Sequence, residues 1–337
     1  MATIKEVAAH AGVSVATVSR VVNKNGYVSE DLRLRVTEAM HLLDYKPSAL
    51  ARSLRRQESL TVGVLVPGLN QPFFAALVTI IQTTLFAAGY RIIICSSEES
   101  SDDEAAYVDM LIRQRVDGAI IAPTGRSSEA ITPLLSKIPV ILIDRDLPNL
   151  PVNRILANNF QGGYDAMEHL LRLGHRDIAL IGAQPHSASM DQRIHGARRA
   201  IADAGMAANS LRTLISERSE FDVGYAFTRD LLRRKRRPTA VFALTDVIAI
   251  GVLHAAAEVG LKLPDELSVV GFDDIPLSSY LIPSLTTVAQ PINRMGEAAA
   301  DLLLSRIKEG HPEPFESLLL DMKLMLRAST VHHRRGA

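Results

Sequence analysis

The feature that most constrains the fold of this chain is a series of short apolar runs that alternate with helical segments after residue 60. Most runs are continuously apolar and bounded by Gly, Pro or Asp, which is typical of parallel strands covered on both faces. The predicted strands are 61–66, 91–96, 118–122, 140–143, 154–157, 178–181, 214–216, 240–243, 267–271 and 287–289. Helices between them are what βαβ units require. Because this stretch exceeds one comfortable sheet, we expect an α/β body of two doubly wound parallel-sheet subdomains.

The first 57 residues show a different pattern, with short helical segments and no clear strand. The predicted helices are 4–11, 15–23, 30–43 and 47–54. Ser14 and Ser29 precede two of them and are suited to be N-caps, because a serine hydroxyl can accept a bond from an unpaired N–H group. Gly12 permits a sharp turn between the first two helices. This pattern predicts a small all-α head built around a helix-turn-helix, whose second helix would lie in a DNA major groove.

The second helix has one apolar and one open face. Val18, Val21 and Val22 form its buried stripe, and the opposite face displays Val15, Ala16, Thr17 and Arg20. Arg20 is placed for a bidentate contact to guanine, which is worth about 1–3 kcal/mol of base discrimination. Val15 and Ala16 can offer only apolar contact, for instance to thymine methyl groups. A helical hairpin without a role in DNA binding is the alternative interpretation of this segment alone.

The distribution of charge favours DNA binding. The chain has 337 residues with Lys+Arg 37 and Asp+Glu 37, so its net charge is zero. Residues 1–57 nevertheless contain nine Lys/Arg against five Asp/Glu, a net charge of +4, which leaves −4 for the remainder. A basic head on an acidic body is the electrostatic pattern of phosphate binding at one end of a protein. The single cysteine excludes a disulfide framework and a multi-thiolate zinc site, and it suits a reducing cytoplasm.

Residues 60–90 contain no charged side chain, so this segment must be distinguished from a membrane-spanning helix. Pro67, Gly68 and Pro72 interrupt this run, which therefore indicates a buried strand, a turn and then a helix over residues 73–88 rather than a membrane span. The N-terminus has no apolar core of signal-peptide length. We expect a cytoplasmic protein with no membrane contact. An uncharged helix also fits a subunit interface, and a charged substitution at Ile80 is predicted to give monomers.

Two motifs in the head resemble the lactose-repressor (LacI/GalR) family of bacterial transcription regulators, and the purine and ribose repressors in particular. Residues 11–14 with 17–23 match the family signature, and residues 45–54 resemble its hinge helix. In the family, a leucine matching Leu54 wedges into a base step and kinks the duplex. The hinge helix has only eight residues, too few for a helix that is stable in isolation. The residues that the resemblance assigns to DNA contact are Ser14, Val15, Ala16, Thr17, Arg20, Asn23, Ala51 and Leu54.

The resemblance also implies an organisation for the whole chain. It predicts a DNA-binding domain at 1–46, a hinge helix and linker at 47–58, and an effector-binding and dimerisation domain at 59–337. Within the last, the N-subdomain would comprise about 59–158 and 291–322, and the C-subdomain about 159–290 and 323–337. The implied function is that of a ligand-responsive, sequence-specific repressor. It would bind a pseudo-palindromic double-stranded operator as a homodimer.

Effector would bind between the two subdomains, near the carboxyl ends of strands. The residues that the resemblance assigns to this site are Phe73, Phe74, Asp144, Arg145, Ser187, Ser189, Arg193, Phe221, Thr245, Asp273 and Gln290. Asp246 reads as a helix cap, and Arg145 is alternatively an ion-pair partner of Asp144 or Asp146. If both arginines enter the pocket, their two guanidinium forks suit a carboxylate. The effector class is therefore a sugar or a sugar acid, with the acid favoured, and a nucleobase corepressor is the alternative.

A sugar-binding transport component or an α/β enzyme without a role in DNA binding is the competing class of function. A transport protein would need a signal peptide and would not need the head. An enzyme would need a nucleophile elbow, a phosphate loop or a metal-binding helix, and none of the patterns GxSxG, GxxxxGK[ST] or HExxH occurs. We therefore expect no catalytic residue, metal or cofactor. The predicted function is regulation of genes for carbohydrate or sugar-acid catabolism.

Overall fold

The computed structural model describes residues 2–23, 25–45, 58–124, 128–183, 187–207, 210–217, 220–310 and 314–333. The chain divides into two compact units, Met1–Leu60 and Thr61–Ala337, referred to below as the head and the body. The predicted hinge helix at 47–54, with Ala51 and Leu54, lies outside the described residues. None of the described helices is long and apolar enough to cross a membrane.

The head consists of helices α1 (Ile4–Ala11), α2 (Val15–Asn23) and α3 (Glu30–Leu42). The Ser14 hydroxyl accepts the Thr17 N–H at 3.1 Å, so this predicted cap is present. Ser29 precedes α3 at the N-cap position, but its hydroxyl makes no capping bond, so that part of the prediction is wrong. Gly12 ends α1 in the left-handed region at a φ of 64°, as its turn requires.

A small aliphatic core holds the head together. Its fully buried side chains are Val7, Ala8, Ala11, Val18, Val36 and Ala39, and Val21 and Val22 pack against them. The Arg35 guanidinium donates a hydrogen bond of 2.7 Å to the Ala11 carbonyl, which satisfies an acceptor at the end of α1. The core therefore fixes the angle between α1 and α2 and leaves the other face of α2 open.

The body contains two sheets, each of six strands in the described part of the chain. Sheet A has the order β11-β5-β4-β3-β1-β2 and is entirely parallel. Its strands are β1 (Thr61–Val66), β2 (Arg91–Ser96), β3 (Gly118–Ile121), β4 (Val140–Ile143), β5 (Asn153–Ala157) and β11 (Ser317–Leu320). Helices α4 (Pro72–Ala87), α5 (Ser101–Gln114), α6 (Thr132–Leu135) and α11 (Ile292–Glu309) belong with this sheet. We call this part the sheet A subdomain.

Sheet B has the order β12-β10-β9-β8-β6-β7, and only its β10–β12 pair is antiparallel. Its strands are β6 (Ile178–Ala183), β7 (Leu211–Ser216), β8 (Ala240–Ala243), β9 (Ser268–Asp273), β10 (Thr286–Ala289) and β12 (Lys323–Met325). Helices α7 (Asn159–Arg172), α8 (Ala188–Asp203), α9 (Phe221–Leu232) and α10 (Asp246–Glu258) belong with it. We call this part the sheet B subdomain. The predicted fold class is confirmed.

Each sheet has apolar cores on both faces, which explains the continuous apolar strands. The sequence interpretation missed β11 and β12, which close the two sheets after the chain has returned to each subdomain. Ile80 of helix α4 has a contact within the subunit that the sequence interpretation did not include. Ile80 is only partly exposed, and its Cγ2 lies within 2.7 Å of the position of a Cβ on Gly296 of α11. A charge at Ile80 would thus disturb packing within the subunit, and the exposed face of α4 contains Thr79, Gln82, Thr83 and Phe86.

Candidate effector site and DNA interface

The predicted effector residues of the body lie at the carboxyl ends of its strands. Phe73 and Phe74 follow β1, Asp144 and Arg145 follow β4, and Arg193 lies on the helix after β6. Phe221, Thr245, Asp273 and Gln290 likewise end or follow β7, β8, β9 and β10. Residues from the two subdomains are close enough to interact. Asp144 and Arg145 belong to the sheet A subdomain and Arg193 to the sheet B subdomain, and the charges of both arginines act on Asp144. Open parallel sheets bind ligands in a crevice at this edge, and we call this group of residues the crevice below.

The three predicted aromatic residues have different environments. Phe73 and Phe74 are buried in the core of the sheet A subdomain, and their rings meet edge to face at 5.0 Å between centroids. The Arg145 guanidinium lies 5.7 Å from the Phe74 ring centroid, so Phe74 is next to the charged part of the site. Phe221 begins α9 and is 49% exposed. Of the three, Phe221 has the surface that is open to stack on a ligand.

Arg145 has a partner that the sequence interpretation did not include. Its Nη1 and Nη2 each donate a 2.8 Å hydrogen bond to a carboxylate oxygen of Glu99, and Nη1 also reaches the Pro123 carbonyl at 3.3 Å. Its Nε lies 3.9 Å from Asp144 Oδ2, while Asp146 pairs with Arg154 instead. The Arg145 fork, which would suit a ligand carboxylate if it entered the pocket free, is therefore occupied by Glu99.

Arg193 is the buried cation of the sheet B subdomain. Its Nε donates to Asn159 Oδ1 at 2.8 Å, and its Nη1 donates to the Leu244 carbonyl at 2.5 Å. The guanidinium stacks on Phe272 at 3.7 Å from the ring centroid. Nη1 also lies 3.4 Å from Asp273 Oδ1. Burial lowers the pKa of Arg193 and the negative charge of Asp273 raises it, but a guanidinium remains protonated in proteins.

Asp273 and Gln290 form a pair beside Arg193. Gln290 Nε2 donates a hydrogen bond of 2.8 Å to Asp273 Oδ1. Burial raises the pKa of Asp273 to about 6, while Arg193 opposes this shift. Burial also raises the pKa of Asp144, against the charges of Arg145 and Arg193. The crevice thus holds acids and arginines that largely neutralise one another within the protein.

Two buried acceptor atoms in this crevice lack a hydrogen-bond partner among the described residues. They are Asp144 Oδ1 and Gln290 Oε1. An unsatisfied buried acceptor costs about 1–3 kcal/mol, so native structures rarely retain one without a purpose. Both atoms belong to residues predicted to bind effector. A ligand that supplies hydrogen-bond donors would satisfy them.

The remaining polar residues are organised by helix termini. Ser187 and Ser189 are buried at the start of α8, with 2.9 Å between their hydroxyl oxygens. Thr245 caps α10, because its hydroxyl accepts the Ile248 N–H at 3.3 Å. Asp246 therefore does not supply the predicted cap.

Asp246 instead links three parts of the sheet B subdomain. Its Oδ2 accepts bonds from the Ile275 N–H at 2.9 Å and the Ser278 hydroxyl at 2.6 Å, and its Oδ1 accepts from Thr287 at 2.6 Å. Burial and the charge of Asp273 raise its pKa to about 7, while these hydrogen bonds oppose the shift. Asp246 is a structural tie next to the crevice.

Backbone conformation marks the same edge of the sheets. Asp144 has a φ of 64°, Asp273 of 111° and Asp274 of 56°, and Glu98 and Glu99 also lie in the left-handed region. Residues other than glycine in this region are strained by about 1–3 kcal/mol and cluster at ligand sites. Asp274 is held by Arg327, whose Nη2 lies 2.7 Å from Asp274 Oδ1.

The predicted DNA face of α2 is open in the isolated head. Val15, Ala16 and Arg20 are exposed, and Thr17 is half-buried with its hydroxyl 2.9 Å from that of Ser14. Ser14 and Thr17 therefore stabilise the start of α2 as well as lying on this face. Asn23 ends α2. The head thus has the form of a helix-turn-helix with an unobstructed second helix.

Known proteins match both parts of the chain. The family described as "Bacterial regulatory proteins, lacI family" matches residues 3–48, and "Periplasmic binding protein-like domain" matches residues 167–330. The HTH-type transcriptional repressor PurR of Yersinia pestis bv. Antiqua is 36% identical over 332 residues, which cover 98% of this chain and 97% of that protein.

Two solved structures extend the comparison. The Lac repressor dimer bound to operator and the anti-inducer ONPF matches with a TM-score of 0.88 at 29% identity, covering 98% of this chain and 99% of that one. A LacI family transcriptional regulator from Enterococcus faecium with bound ribose matches with a TM-score of 0.75 at 34% identity, covering 81% of this chain and 100% of that one. This chain is therefore a member of the lacI family of bacterial regulatory proteins, a DNA-binding transcriptional repressor with an effector-binding body.

Proposed function

We propose that the effector of this repressor is an uncharged ligand rich in hydroxyl groups, in the size class of a monosaccharide, which binds in the crevice between the two subdomains. The observation that carries this proposal is the pair of buried acceptors without partners, Asp144 Oδ1 and Gln290 Oε1. Sugar hydroxyls donate hydrogen bonds and carry no charge. They satisfy such acceptors without disturbing the internal ion pairs.

The charge balance supports an uncharged ligand over a sugar acid. Arg145 and Arg193 are each paired with an acid, Glu99 and Asp273 respectively. A further buried carboxylate, Asp144, is close to both arginines. An anionic effector would add negative charge to a crevice whose guanidinium groups already have carboxylate partners, and burying an unpaired charge is strongly unfavourable.

The relatives support two ligand classes. Ribose is bound in the Enterococcus faecium regulator, and cellobiose is bound in the transcriptional regulator CelR, which matches with a TM-score of 0.73 at 30% identity. The relatives named PurR favour a nucleobase corepressor as the second candidate. The ring N–H groups of a nucleobase would also donate to the two open acceptors.

Calorimetric titration of the full chain against ribose, glucose, gluconate and guanine tests this proposal. We expect an aldose to bind, and Asp144→Asn to weaken its binding at least tenfold, because the amide no longer offers a charged acceptor. Asp146→Asn is the matched control, since Asp146 pairs with Arg154 instead of Arg145. Binding of guanine alone would favour the corepressor. Binding of gluconate in preference to glucose would overturn the uncharged effector.

The DNA-bound form is proposed to be a homodimer in the cytoplasm, with α2 of each head in the major groove. Arg20→Ala should reduce base discrimination by about 1–3 kcal/mol. A binding screen over randomised half-sites measures this loss, and unchanged base preference would contradict direct readout by Arg20.

The exposed, uncharged face of α4 is the proposed subunit contact. Thr83→Lys should raise the dimer dissociation constant, which sedimentation analysis measures; an unaltered dimer would place the interface elsewhere.

A further inference from the structure

We infer that Glu99 sets the charge selectivity of the effector site, because it occupies the guanidinium fork of Arg145 and so excludes anionic ligands. Neither the family motifs nor the predicted site residues include Glu99. Its carboxylate accepts both terminal N–H groups of Arg145 at 2.8 Å, which is the geometry that a bound ligand carboxylate would otherwise adopt. The inference rests on the proposed function, since it concerns which ligands the same crevice accepts.

The pair is built into the sheet rather than formed by chance at its surface. Glu99 follows β2 and Arg145 follows β4, with β1 and β3 between them in sheet A. Neighbouring strands lie about 4.8 Å apart, so β2 and β4 are separated by three such spacings, or about 14 Å. The two side chains bridge this distance along the edge of the sheet. Both residues are also fixed to the intervening strand ends. The Glu99 N–H donates to the Pro67 carbonyl at 3.1 Å, and Arg145 Nη1 donates to Pro123.

The exposure of the two partners indicates which one a ligand would meet. The Arg145 side chain is 2% exposed, whereas that of Glu99 is 26% exposed. An approaching anion would therefore encounter the Glu99 carboxylate before the guanidinium, and the two like charges would repel. To use the fork, the anion would have to displace a partner that is tethered to the same chain and cannot diffuse away.

Other charges around Arg145 reinforce this selectivity. Asp144 Oδ2 lies 3.9 Å from its Nε, and the buried carboxylate of Glu104 is near enough for its charge to act on Arg145. Glu104 is in turn bound by the Thr124 N–H at 2.8 Å, so it has a separate structural partner. Arg193 is the other cation of this group, and it acts on Asp144 from the sheet B side. Removal of Glu99 would deprive both terminal nitrogens of Arg145 of their carboxylate partner beside these fixed groups.

The test compares aldose and aldonate pairs (ribose with ribonate, glucose with gluconate) by calorimetry on the full chain. In Glu99→Ala, we expect the affinity for the aldonate relative to its aldose to rise at least tenfold. Glu99→Gln keeps one acceptor for Arg145 and should give a smaller rise, which provides a second variant if the alanine variant does not fold. Glu98→Ala is the matched control. It removes the same side chain at the next position, where Glu98 is exposed, has a φ of 48° and accepts a bond from Ser96.

A second readout does not depend on the identity of the effector. Formate should raise the melting temperature of Glu99→Ala relative to chloride at equal ionic strength, because a free carboxylate can take the place of the deleted one. Wild-type protein and Glu98→Ala should show no such difference. If wild type binds an aldose but Glu99→Ala gains neither aldonate affinity nor formate stabilisation, the role of Glu99 is refuted. If no aldose binds while formate stabilises Glu99→Ala, the proposed effector class fails and the role of Glu99 stands.

Discussion

The two subdomains each contribute a buried arginine to the crevice, but they hold it by different means. In the sheet A subdomain, Arg145 is positioned by the carboxylate of Glu99, which comes from a distant strand end. In the sheet B subdomain, Arg193 stacks on Phe272 and donates its hydrogen bonds of 2.8 Å and 2.5 Å to the neutral acceptors Asn159 Oδ1 and Leu244 O. Its acid partner, Asp273, is farther away at 3.4 Å. One arginine is therefore placed mainly by charge and the other mainly by packing. The first arrangement can be retuned by one substitution, whereas the second depends on the whole subdomain.

Helix packing shows the same contrast. A Cβ on Gly163 of α7 would lie 2.1 Å from the backbone carbonyl oxygen of Arg193, so α7 and α8 are in direct backbone contact at the residue that supplies the cation. In the sheet A subdomain, a Cβ on Gly296 of α11 would instead meet the Ile80 side chain at 2.7 Å. The Ile80 atoms in this contact are Cγ2 at 2.7 Å and Cβ at 2.9 Å, so α4 needs to shift less than α8 must shift to relieve the 2.1 Å conflict with its backbone.

Gly163→Ala has the largest expected effect because it tests this backbone contact directly. The added methyl group must push α8 away from α7, which should lower the free energy of unfolding by about 3 kcal/mol or more. The same shift displaces Arg193, so effector binding should weaken as well. Urea denaturation and calorimetry measure the two effects.

Gly296→Ala is the matched control for Gly163→Ala. Its steric conflict needs a smaller helix shift, because the nearest atoms are 2.7 Å and 2.9 Å away instead of 2.1 Å. The control should therefore lose less stability than Gly163→Ala, by about 1–2 kcal/mol. If both variants lose stability equally, the contrast between backbone packing and side-chain packing is wrong.

Acidification provides the second prediction, through His175 of the sheet B subdomain. Its Nε2 lies 3.1 Å from the Val331 carbonyl oxygen and its Nδ1 lies 3.0 Å from the Thr239 hydroxyl, so the imidazole links the C-terminal segment to the start of β8. Burial lowers its pKa from 6.5 to about 4, while the bond to Val331 opposes the shift. A lowered histidine pKa means that the folded state binds protons less readily than the unfolded state.

Stability linked to His175 should accordingly be complete above pH 6.5 and decrease as the pH falls towards 4. The loss should reach about 2–3 kcal/mol, and urea denaturation at pH 7.5 and pH 4.5 measures it. His175→Gln should reduce this pH dependence, whereas substitution of the exposed His195 should not. An unchanged pH dependence in His175→Gln would mean that other titratable groups cause the loss of stability in acid.

The sequence predicted strands β1 to β10 but missed β11 and β12, for a physical reason. The bounds of β1 and β4 are correct because both strands are buried on both faces, so their sequences are uninterrupted apolar runs. Strand β11 is largely exposed and β12 is only partly buried, and each forms because of a partner distant in sequence. Ser317 of β11, for example, pairs with Arg154 of β5. The hydrophobicity of a short segment does not predict its pairing with a strand that is distant in sequence.

The site was predictable to a similar extent. Family motifs assigned Asp144, Arg193 and Asp273 to one candidate site, and the fold brings these residues together. Glu99 was missed because its pairing with Arg145 depends on the order of strands in sheet A, with two strands between the partners. Thr245 and Asp246 are both good N-cap residues, and only the tertiary contacts of Asp246 with Ser278 and Thr287 decide which of them caps α10.

Thr228→Val has the smallest expected effect. It tests whether the sheet B subdomain is destabilised only by added side-chain volume or by any substitution in its core. The Thr228 hydroxyl on α9 is buried and makes no hydrogen bond with the rest of the described chain. Valine has nearly the same shape, so its substitution removes an unsatisfied polar group without adding volume. We expect the free energy of unfolding to increase by about 1 kcal/mol.

Thr132→Val on α6 serves as the comparison. The exposed Thr132 hydroxyl donates to the Ser128 carbonyl at 2.7 Å, and its loss should change stability by less than about 0.5 kcal/mol. A stabilised Thr228→Val together with a destabilised Gly163→Ala would mean that the sheet B subdomain tolerates a change of polarity but not of volume. That outcome is what placement of Arg193 by packing requires. Loss of stability in both variants would instead indicate a subdomain that tolerates no core substitution, and Arg193 would then have no special dependence on the contact between α7 and α8.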